Sequence, residues 1–293
     1  MKSRENTLIC LLLDVKEVFD YVALKQLIKI LIRLKVSINL INWVKCFLQN
    51  WVIDLAFDDE RQKSKKISTE ISQDSFISLI LFLIYIRYLF SKIRAKFENI
   101  QSLSYIDDMM LYIERRNIDK NVKMLKNAAK IAFTWVKNKT KSELIHFESH
   151  KITLNQMIIL LNNMIIKSKT CVWWLEVWLN RKLNFKVHVQ MKIMTVTRTL
   201  HSLFKLMNNE WELNVKSEKQ LYLTCITSIS DYDVEIWWNN QKSYLVKFRK
   251  LQNAALWKIL SAFRTSLIDA MQIEVEISSM KMQLDQKCKN YAI

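Results

Sequence analysis

Hydrophobic and polar positions along the chain fall into short blocks whose period changes several times. Thr7 to Leu13 is a mostly apolar run of the length of a buried strand, and it ends at Asp14. Ala23 to Leu34 follows as a helix with apolar residues on most faces. Residues 39–50 predict a cleaner amphipathic helix, with Leu40, Ile41, Trp43, Val44, Phe47 and Leu48 on one side. Trp51, Ile53, Leu55 and Phe57 alternate with other residues, Asp58 and Asp59 suit a turn, and the basic segment Arg61 to Lys66 leads back, so this region predicts a hairpin. Phe76 to Phe90 reads as a helix, and Leu103 to Ile113 as a second hairpin with its tip at Asp107 and Asp108. Asn117 to Lys137 carries Asp119 near its start and an apolar stripe through Val122, Leu125, Ala129, Ala132, Phe133 and Val136, the pattern of a helix. Strand-like segments follow around 143–147, 152–166 and 172–178, and from Phe185 onward the patterning is almost wholly helical. The order predicts an α+β fold with a boundary near residue 180: a mixed part, 1–180, and a helical part, 181–293.

Composition changes this picture in three ways. With 51% hydrophobic residues in 293, the chain has ample material for a packed core. Lys and Arg number 45 against 28 Asp and Glu, a formal net charge of +17, which favours a polyanionic partner. The basic stretches Arg61 to Lys66, Lys137 to Lys141 and Lys242 to Lys258 are the candidate contacts, with Trp237 and Trp238 either stacking groups for bases or core residues. The chain also has no Gly and no Pro, where average usage would give about 20 and about 15. Tight turns and helix ends normally call for both residues, so selection for fold does not account for their loss.

Several classes of function are disfavoured. The apolar run Leu8 to Leu13 is short for a signal peptide, and Asp14 and Lys16 stand where small cleavage-site residues belong. Residues 76–90 fall short of the roughly 20 needed to span a bilayer, so a buried helix is expected and no membrane partner. The five cysteines are scattered, odd in number and without a C-x-x-C pair, so neither a disulfide framework nor a zinc knuckle is indicated and a reducing, intracellular compartment is expected. His146 and His150 are spaced for one helix face but lack a third ligand nearby.

The chemistry-bearing arrangement is a carboxylate at the end of a buried strand, Asp14, and a carboxylate pair at a hairpin tip, Asp107 and Asp108. Such a set can hold two divalent metals for nucleotidyl transfer. LLLDVKEVFDYV around Asp14 resembles the L-D-V-K-G-A-F-D motif of reverse transcriptases from non-LTR retrotransposons, and SYIDDMMLY resembles their Y-x-D-D motif. Between them, TEISQDSFISLILFLIY is similar to T-G-I-P-Q-G-S-P-L-S-P-I-L-F-L-x-Y. Asn138 to Leu144 resembles the later lysine-bearing motif, and Trp174 to Asn180 the L-G-V-x-L-D primer-grip segment; later stretches resemble the region after the palm in fungal elements.

The resemblance implies a right-hand polymerase palm followed by a helical thumb or connection region. It implies Asp14, Asp107 and Asp108 as catalytic ligands of Mg2+ or Mn2+, and Lys141 as a cation near the triphosphate. It also implies Phe19, Gln73 and Tyr105 as substrate-binding residues, Phe19 being the aromatic gate against a ribose 2′-hydroxyl. The partners would be an RNA template, a DNA primer and deoxynucleoside triphosphates, in the nucleus or cytoplasm.

The departures from the motifs are systematic. Where the family has Gly, this chain has Glu17, Glu70, Asp74, Glu176 and Asp233; where it has Pro, Ser72, Phe76 and Leu79; and Val18 replaces Ala. Each is reachable by C-to-T or G-to-A transitions, the signature of a mutationally degenerate element. The chain also begins almost at Asp14, before which the family's fingers would lie. Both features lead to the expectation of weak or absent polymerase activity, with a basic, non-catalytic nucleic-acid-binding remnant as the alternative.

Overall fold

The computed structural model describes residues 7–14, 19, 22–48, 51–53, 56–57, 60–61, 65–67, 75–136, 141–147, 157–159, 165–207 and 213–291. The chain divides into two compact units, Met1–Leu175 and Glu176–Ile293.

The first unit is α+β. Its six-stranded sheet runs in the order β6 (Gln101–Tyr105), β7 (Asp108–Arg115), β1 (Thr7–Asp14), β8 (Lys141–Phe147), β10 (Ile165–Lys169) and β9 (Met157–Ile159). All neighbours are antiparallel except β8 and β10. Strand alternation sorts the residues to two faces. Ile9, Leu11 and Leu13 of β1 join Met109, Leu111 and Ile113 of β7 in a core with α1 (Leu24–Arg33), α2 (Ile38–Phe47), α3 (Phe76–Lys96) and α4 (Ile118–Val136). Ala128, Ala129 and Ala132 are buried on α4, where small side chains allow helix and sheet to approach closely. α4 starts where Asn117 Oδ1 accepts the Lys120 amide at 3.0 Å, a side-chain cap.

Three local expectations are revised. The β6–β7 hairpin closes with Ile106 and Asp107, so Asp108 is the first residue of β7 and not part of the tip. On α2 the buried face is only Ile41 and Val44, while Leu40 and Trp43 are 50% and 46% exposed. α3 runs on to Lys96 instead of stopping at Phe90. Its 21 residues make it long and apolar enough to cross a membrane by length and composition, although it buries Leu81, Phe82, Tyr85, Ile86, Leu89 and Ile93 in the core of this unit. The first predicted hairpin is present as β2 (Trp51–Ile53) against β5 (Lys65–Ile67) and β3 (Ala56–Phe57) against β4 (Glu60–Arg61).

The second unit is helical after β12 (Val177–Asn180), which pairs with β11 (Cys171–Trp174). Its core joins Val189, Val196 and Leu200 of α5 (Lys186–Leu206) to Phe248, Leu256 and Ile259 of α9 (Lys242–Ile259). Trp237 is 2% exposed, stacks on Phe248 at 5.7 Å and donates its Nε1 hydrogen to the Tyr232 carbonyl at 3.2 Å. Trp238 donates to Asp285 Oδ1 at 2.8 Å. Trp237 is thus a core residue and not a stacking platform, whereas Trp238 is half-buried and held by that bond. His146 lies buried on β8, a strand and not a helix, with Nδ1 2.6 Å from Ser168 Oγ; His150 is outside the described residues.

A buried basic pair ties α5 to its surroundings. Lys192 Nζ donates to the carbonyls of Ile229 at 2.9 Å and Tyr232 at 2.7 Å. Burial pushes its pKa down to about 8, against the upward pull of Asp233, Asp231, Glu235 and Glu176. One turn earlier, His188 is 1% exposed and its Nδ1 accepts the Trp178 amide at 3.3 Å. Burial, reinforced by the Lys192 charge, holds its pKa near 4.

In this glycine-free chain, ten described residues have positive φ. Three occupy the left-handed position just past a helix, where Gly is usual: Lys35 after α1, Ser261 after α9 and Glu276 after α10 (Ile268–Glu274). Each closes the paired Schellman bonds. Val36 donates to Leu31 and Lys35 to Ile32, Ala262 to Trp257 and Ser261 to Lys258, Ile277 to Gln272 and Glu276 to Ile273, all at 2.9–3.2 Å. The backbone therefore adopts, at three residues that carry a Cβ, the geometry that Gly usually supplies.

Candidate active site

Strand register aligns four of the sequence-predicted residues in one row across the sheet. Tyr105 of β6 pairs with Asp108 of β7, Asp108 with Asp14 of β1, and Asp14 with Lys141 of β8. Residues directly opposite on neighbouring strands share a face, so the row lies on the side of the sheet away from the helical core, with Cys10, Leu12, Met110 and Tyr112 behind it. β1 is hydrogen-bonded on both sides, which fixes Asp14 at the end of a rigid central strand.

Asp14 and Asp108 are half-buried, Asp107 is exposed on the turn and Tyr105 is 63% exposed, so the row opens to solvent at the hairpin end. Two carboxylates directly opposite on adjacent strands repel, and oxygen-only donors of this kind suit a hard divalent cation. Asp14 and Asp108 thus fit such an ion. Among the described residues, however, no three His, Cys, Asp or Glu side chains are drawn together as a metal-binding group, so Asp107 does not join them in this conformation.

The turn itself is strained. Ile106, between Tyr105 and Asp107, has φ 50°, and φ is positive at this first central position of the two-residue turn alone, as in the II′ hairpin class that ordinarily places Gly there. For a β-branched residue this is a true outlier. Sequence patterning gave no sign of it, because the Y-x-D-D motif leaves that position open.

Phe19 is half-buried and meets Phe82 of α3 at 5.2 Å with planes tilted by 51°. Its ring is therefore held against the helix that follows the Gln73 segment. Gln73 lies outside the described residues, as do Glu17, Val18, Glu70, Ser72 and Asp74; of Lys141, only the backbone register is described.

Three of the departures noted in the sequence can be read structurally. Glu176 has φ 62° and, with Leu175 at φ 47°, forms the two-residue turn between β11 and β12; two positive φ values are the I′ pattern that favours Asn-Gly. Asp233 has φ 50°. Phe76 is the first residue of α3, preceded by Ser75 at φ −104° and ψ 132°. That is the helix position Pro prefers and the backbone a pre-proline residue adopts.

A family model described as reverse transcriptase (RNA-dependent DNA polymerase) matches residues 1–175. No curated protein matches the chain. Among solved structures, apo telomerase from Candida tropicalis, truncated from the C-terminal domain, is similar with a TM-score of 0.41 and 14% identity over 59% of this chain and 34% of that one. Telomerase from Candida albicans, in complex with a TWJ fragment of telomeric RNA, gives a TM-score of 0.39 and 14% identity over 93% of this chain and 50% of that one. The chain thus spans between a third and a half of the length of these two proteins.

Proposed function

The chain belongs to the reverse transcriptase (RNA-dependent DNA polymerase) family, and from that premise we propose that its first unit is the palm of an RNA-directed DNA polymerase from a non-LTR retrotransposon, in a mutationally degenerate copy of weak or no activity. The observation that carries the polymerase reading is the cross-strand row of Tyr105, Asp108, Asp14 and Lys141. Asp14 and Asp108, with Asp107 on the adjoining turn, would hold Mg2+ or Mn2+, which when bound would supply charge neutralisation at the phosphates and activation of the primer hydroxyl. Asp14 is positioned by the central strand and Asp108 by its direct partner strand. On the same resemblance, Lys141 would supply a cation to the triphosphate, Tyr105 and Phe19 would border the nucleotide, and Gln73 would contact it. Template RNA, DNA primer and deoxynucleoside triphosphates are the substrates on this reading.

Degeneracy is supported by the backbone at Glu176, Asp233 and Phe76, each of which has the geometry of the residue the family motif carries there. A chain that evolved with Glu176 or Asp233 would have little reason to keep left-handed backbone at both. Purified protein with Mg2+ or Mn2+ is expected to extend a primer on RNA no better than its Asp107→Asn variant. Strong extension that Asp107→Asn abolishes would overturn the inactivity. For the site, binding of Mn2+ read by electron paramagnetic resonance should be lost in Asp14→Asn/Asp108→Asn; unchanged binding would remove the metal assignment.

A second reading, a non-catalytic nucleic-acid-binding remnant, is favoured by α9. That helix carries Lys242, Lys247, Arg249, Lys250 and Lys258 and no acidic residue. The first four are exposed and form no ion pair among the described residues, whereas Lys258 acts on the buried carboxylate of Glu218. Such a face would bind polyanions with a steep salt dependence. Salt-insensitive binding would exclude it.

A further inference from the structure

The C-terminal half of α3 and the start of β6 border an open cleft of about 980 Å³, lined by Arg87, Phe90, Ser91, Arg94, Lys96 and Ser102. Arg87, Ser91 and Arg94 recur at i, i+4 and i+7 and so share one helix face, the two arginine Cα atoms about 10 Å apart along the axis. Both arginines and Lys96 are exposed, and neither arginine has an ion-pair or hydrogen-bond partner among the described residues. Glu98 is the single carboxylate in the lining, so the cleft is distinctly positive. Arg94 and Lys96 complement the helix C-terminus, which accounts for them structurally, but Arg87 lies beyond the last turn, where that effect has faded.

The cleft is separate from the carboxylate row. Ser102 pairs with Leu111, a core-face residue, so Ser102 lies on the helical side of the sheet, whereas Tyr105, Asp108 and Asp14 occupy the other.

We propose that this cleft is a second nucleic-acid site, which takes a short segment of single-stranded RNA on the back of the sheet. Guanidiniums at Arg87 and Arg94 match phosphates with bidentate geometry, and Phe90, half-buried at the cleft wall, offers a stacking face for a base. Ser91 already donates to the Tyr88 carbonyl at 2.8 Å, which leaves its oxygen to accept, and with Ser102 and Glu98 it provides acceptors for ribose 2′-hydroxyls. The volume lies at the upper end of ligand sites, roughly 300–1,000 Å³, too large for one phosphate. Phe76, Ile80 and Leu83, exposed at 89%, 56% and 46% on the same helix, lie N-terminal to the cleft and outside its lining; they would serve a lipid surface better than RNA.

The site rests on the family reading only for the class of polyanion, and the test separates the two. Binding of fluorescein-labelled oligouridine to the full chain would be followed by anisotropy across a salt series, for the parent and Arg87→Gln/Arg94→Gln, while Mn2+ binding at the carboxylate row is read separately by electron paramagnetic resonance. The arginine variant should bind roughly tenfold more weakly at low salt, with a log–log salt slope shallower by about 1.4, about 0.7 per lost phosphate contact. Arg87→Lys/Arg94→Lys should restore the slope but not the full affinity. Circular dichroism should be unchanged, since both positions are exposed. An unchanged slope in the glutamine variant would overturn the site. Equal loss for oligouridine and oligodeoxyuridine would overturn the choice of RNA. Loss of sedimentation with phosphatidylserine vesicles while RNA binding persists would reassign the cleft to a membrane surface.

Discussion

Replacing Glu176 by Gly should stabilise this protein, although it deletes a whole side chain. Glu176 is exposed and sits at φ 62° in the two-residue turn between β11 and β12. Left-handed backbone costs a residue with a Cβ roughly 1–2 kcal/mol, while the extra freedom of Gly in the unfolded chain returns about 0.5–1 kcal/mol of that. The net expectation is a gain of about 0.5–1 kcal/mol, or roughly 1–2 °C in melting temperature for a protein of this size. Glu176 also exerts an attraction on buried Lys192, so the charge change must be separated from the backbone change. Three variants do this. Glu176→Gly should gain most, Glu176→Asn less because Asn tolerates the left-handed region, and Glu176→Ala nothing, since it removes the charge and keeps the Cβ. Thermal melting by circular dichroism supplies the order. If the alanine variant matched the glycine variant, the gain would come from relief of the repulsion between Glu176 and Asp233, and the backbone reasoning would be refuted.

The other expectations use the same measurements. Phe76→Pro should stabilise by about 0.5–1 kcal/mol, because it meets compatible backbone at the first position of α3 and removes an 89% exposed aromatic ring; a loss would mean the helix starts elsewhere. His188 is neutral in the fold, with a pKa near 4 against an ordinary 6.5, so stability is full above pH 6.5. It should fall by roughly 1.4 kcal/mol per pH unit as pH drops from 6.5 towards 4, where the unfolded chain takes up the proton first. Urea titrations of the parent and His188→Gln should diverge only in that window, and parallel curves would contradict the burial argument. Asp108→Asn should raise stability in chelator by about 0.2–1 kcal/mol through relief of its repulsion with Asp14, and the gain should vanish in saturating Mn2+; a gain independent of metal would argue against a bound cation. Ile106→Gly should raise the melting temperature through relief of positive φ at a β-branched residue, and no change would mean the turn is not strained.

Much of the first unit was legible because its signals are local. The apolar run before Asp14 is β1, the stripe through Leu125, Ala129 and Ala132 is the buried face of α4, and the Asp58-Asp59 hairpin pairs as its alternation implied. The row itself was only half legible. Patterning gave a strand end and a hairpin, but register across β6, β7, β1 and β8 depends on pairings between residues about a hundred positions apart, which no window of sequence contains. Trp237 and Trp238 were ambiguous for a similar reason. Whether a tryptophan faces solvent or Phe248 depends on how α9 packs, and composition cannot decide it. The exposed side of α2 was misjudged because a wide apolar stripe need not be fully covered.

Six of the ten described residues with positive φ fall into two kinds, and the difference bears on the site. At Lys35, Ser261 and Glu276 the left-handed residue closes a helix with paired bonds, and at Glu176 and Asp233 it stands where the family motif carries Gly. In these places the backbone obeys local hydrogen bonding and the side chain is incidental. Ile106 differs, since the Y-x-D-D motif requires no Gly there and the strain falls between Tyr105 and the carboxylates. A tight turn at that point is what brings Tyr105 opposite Asp108, and so Asp108 opposite Asp14. Strain held at such a position by pairing on both flanking strands is what a preorganised site stores. Left-handed residues that carry a Cβ elsewhere weaken the framework by increments, while the geometry of the row is set by strand pairing.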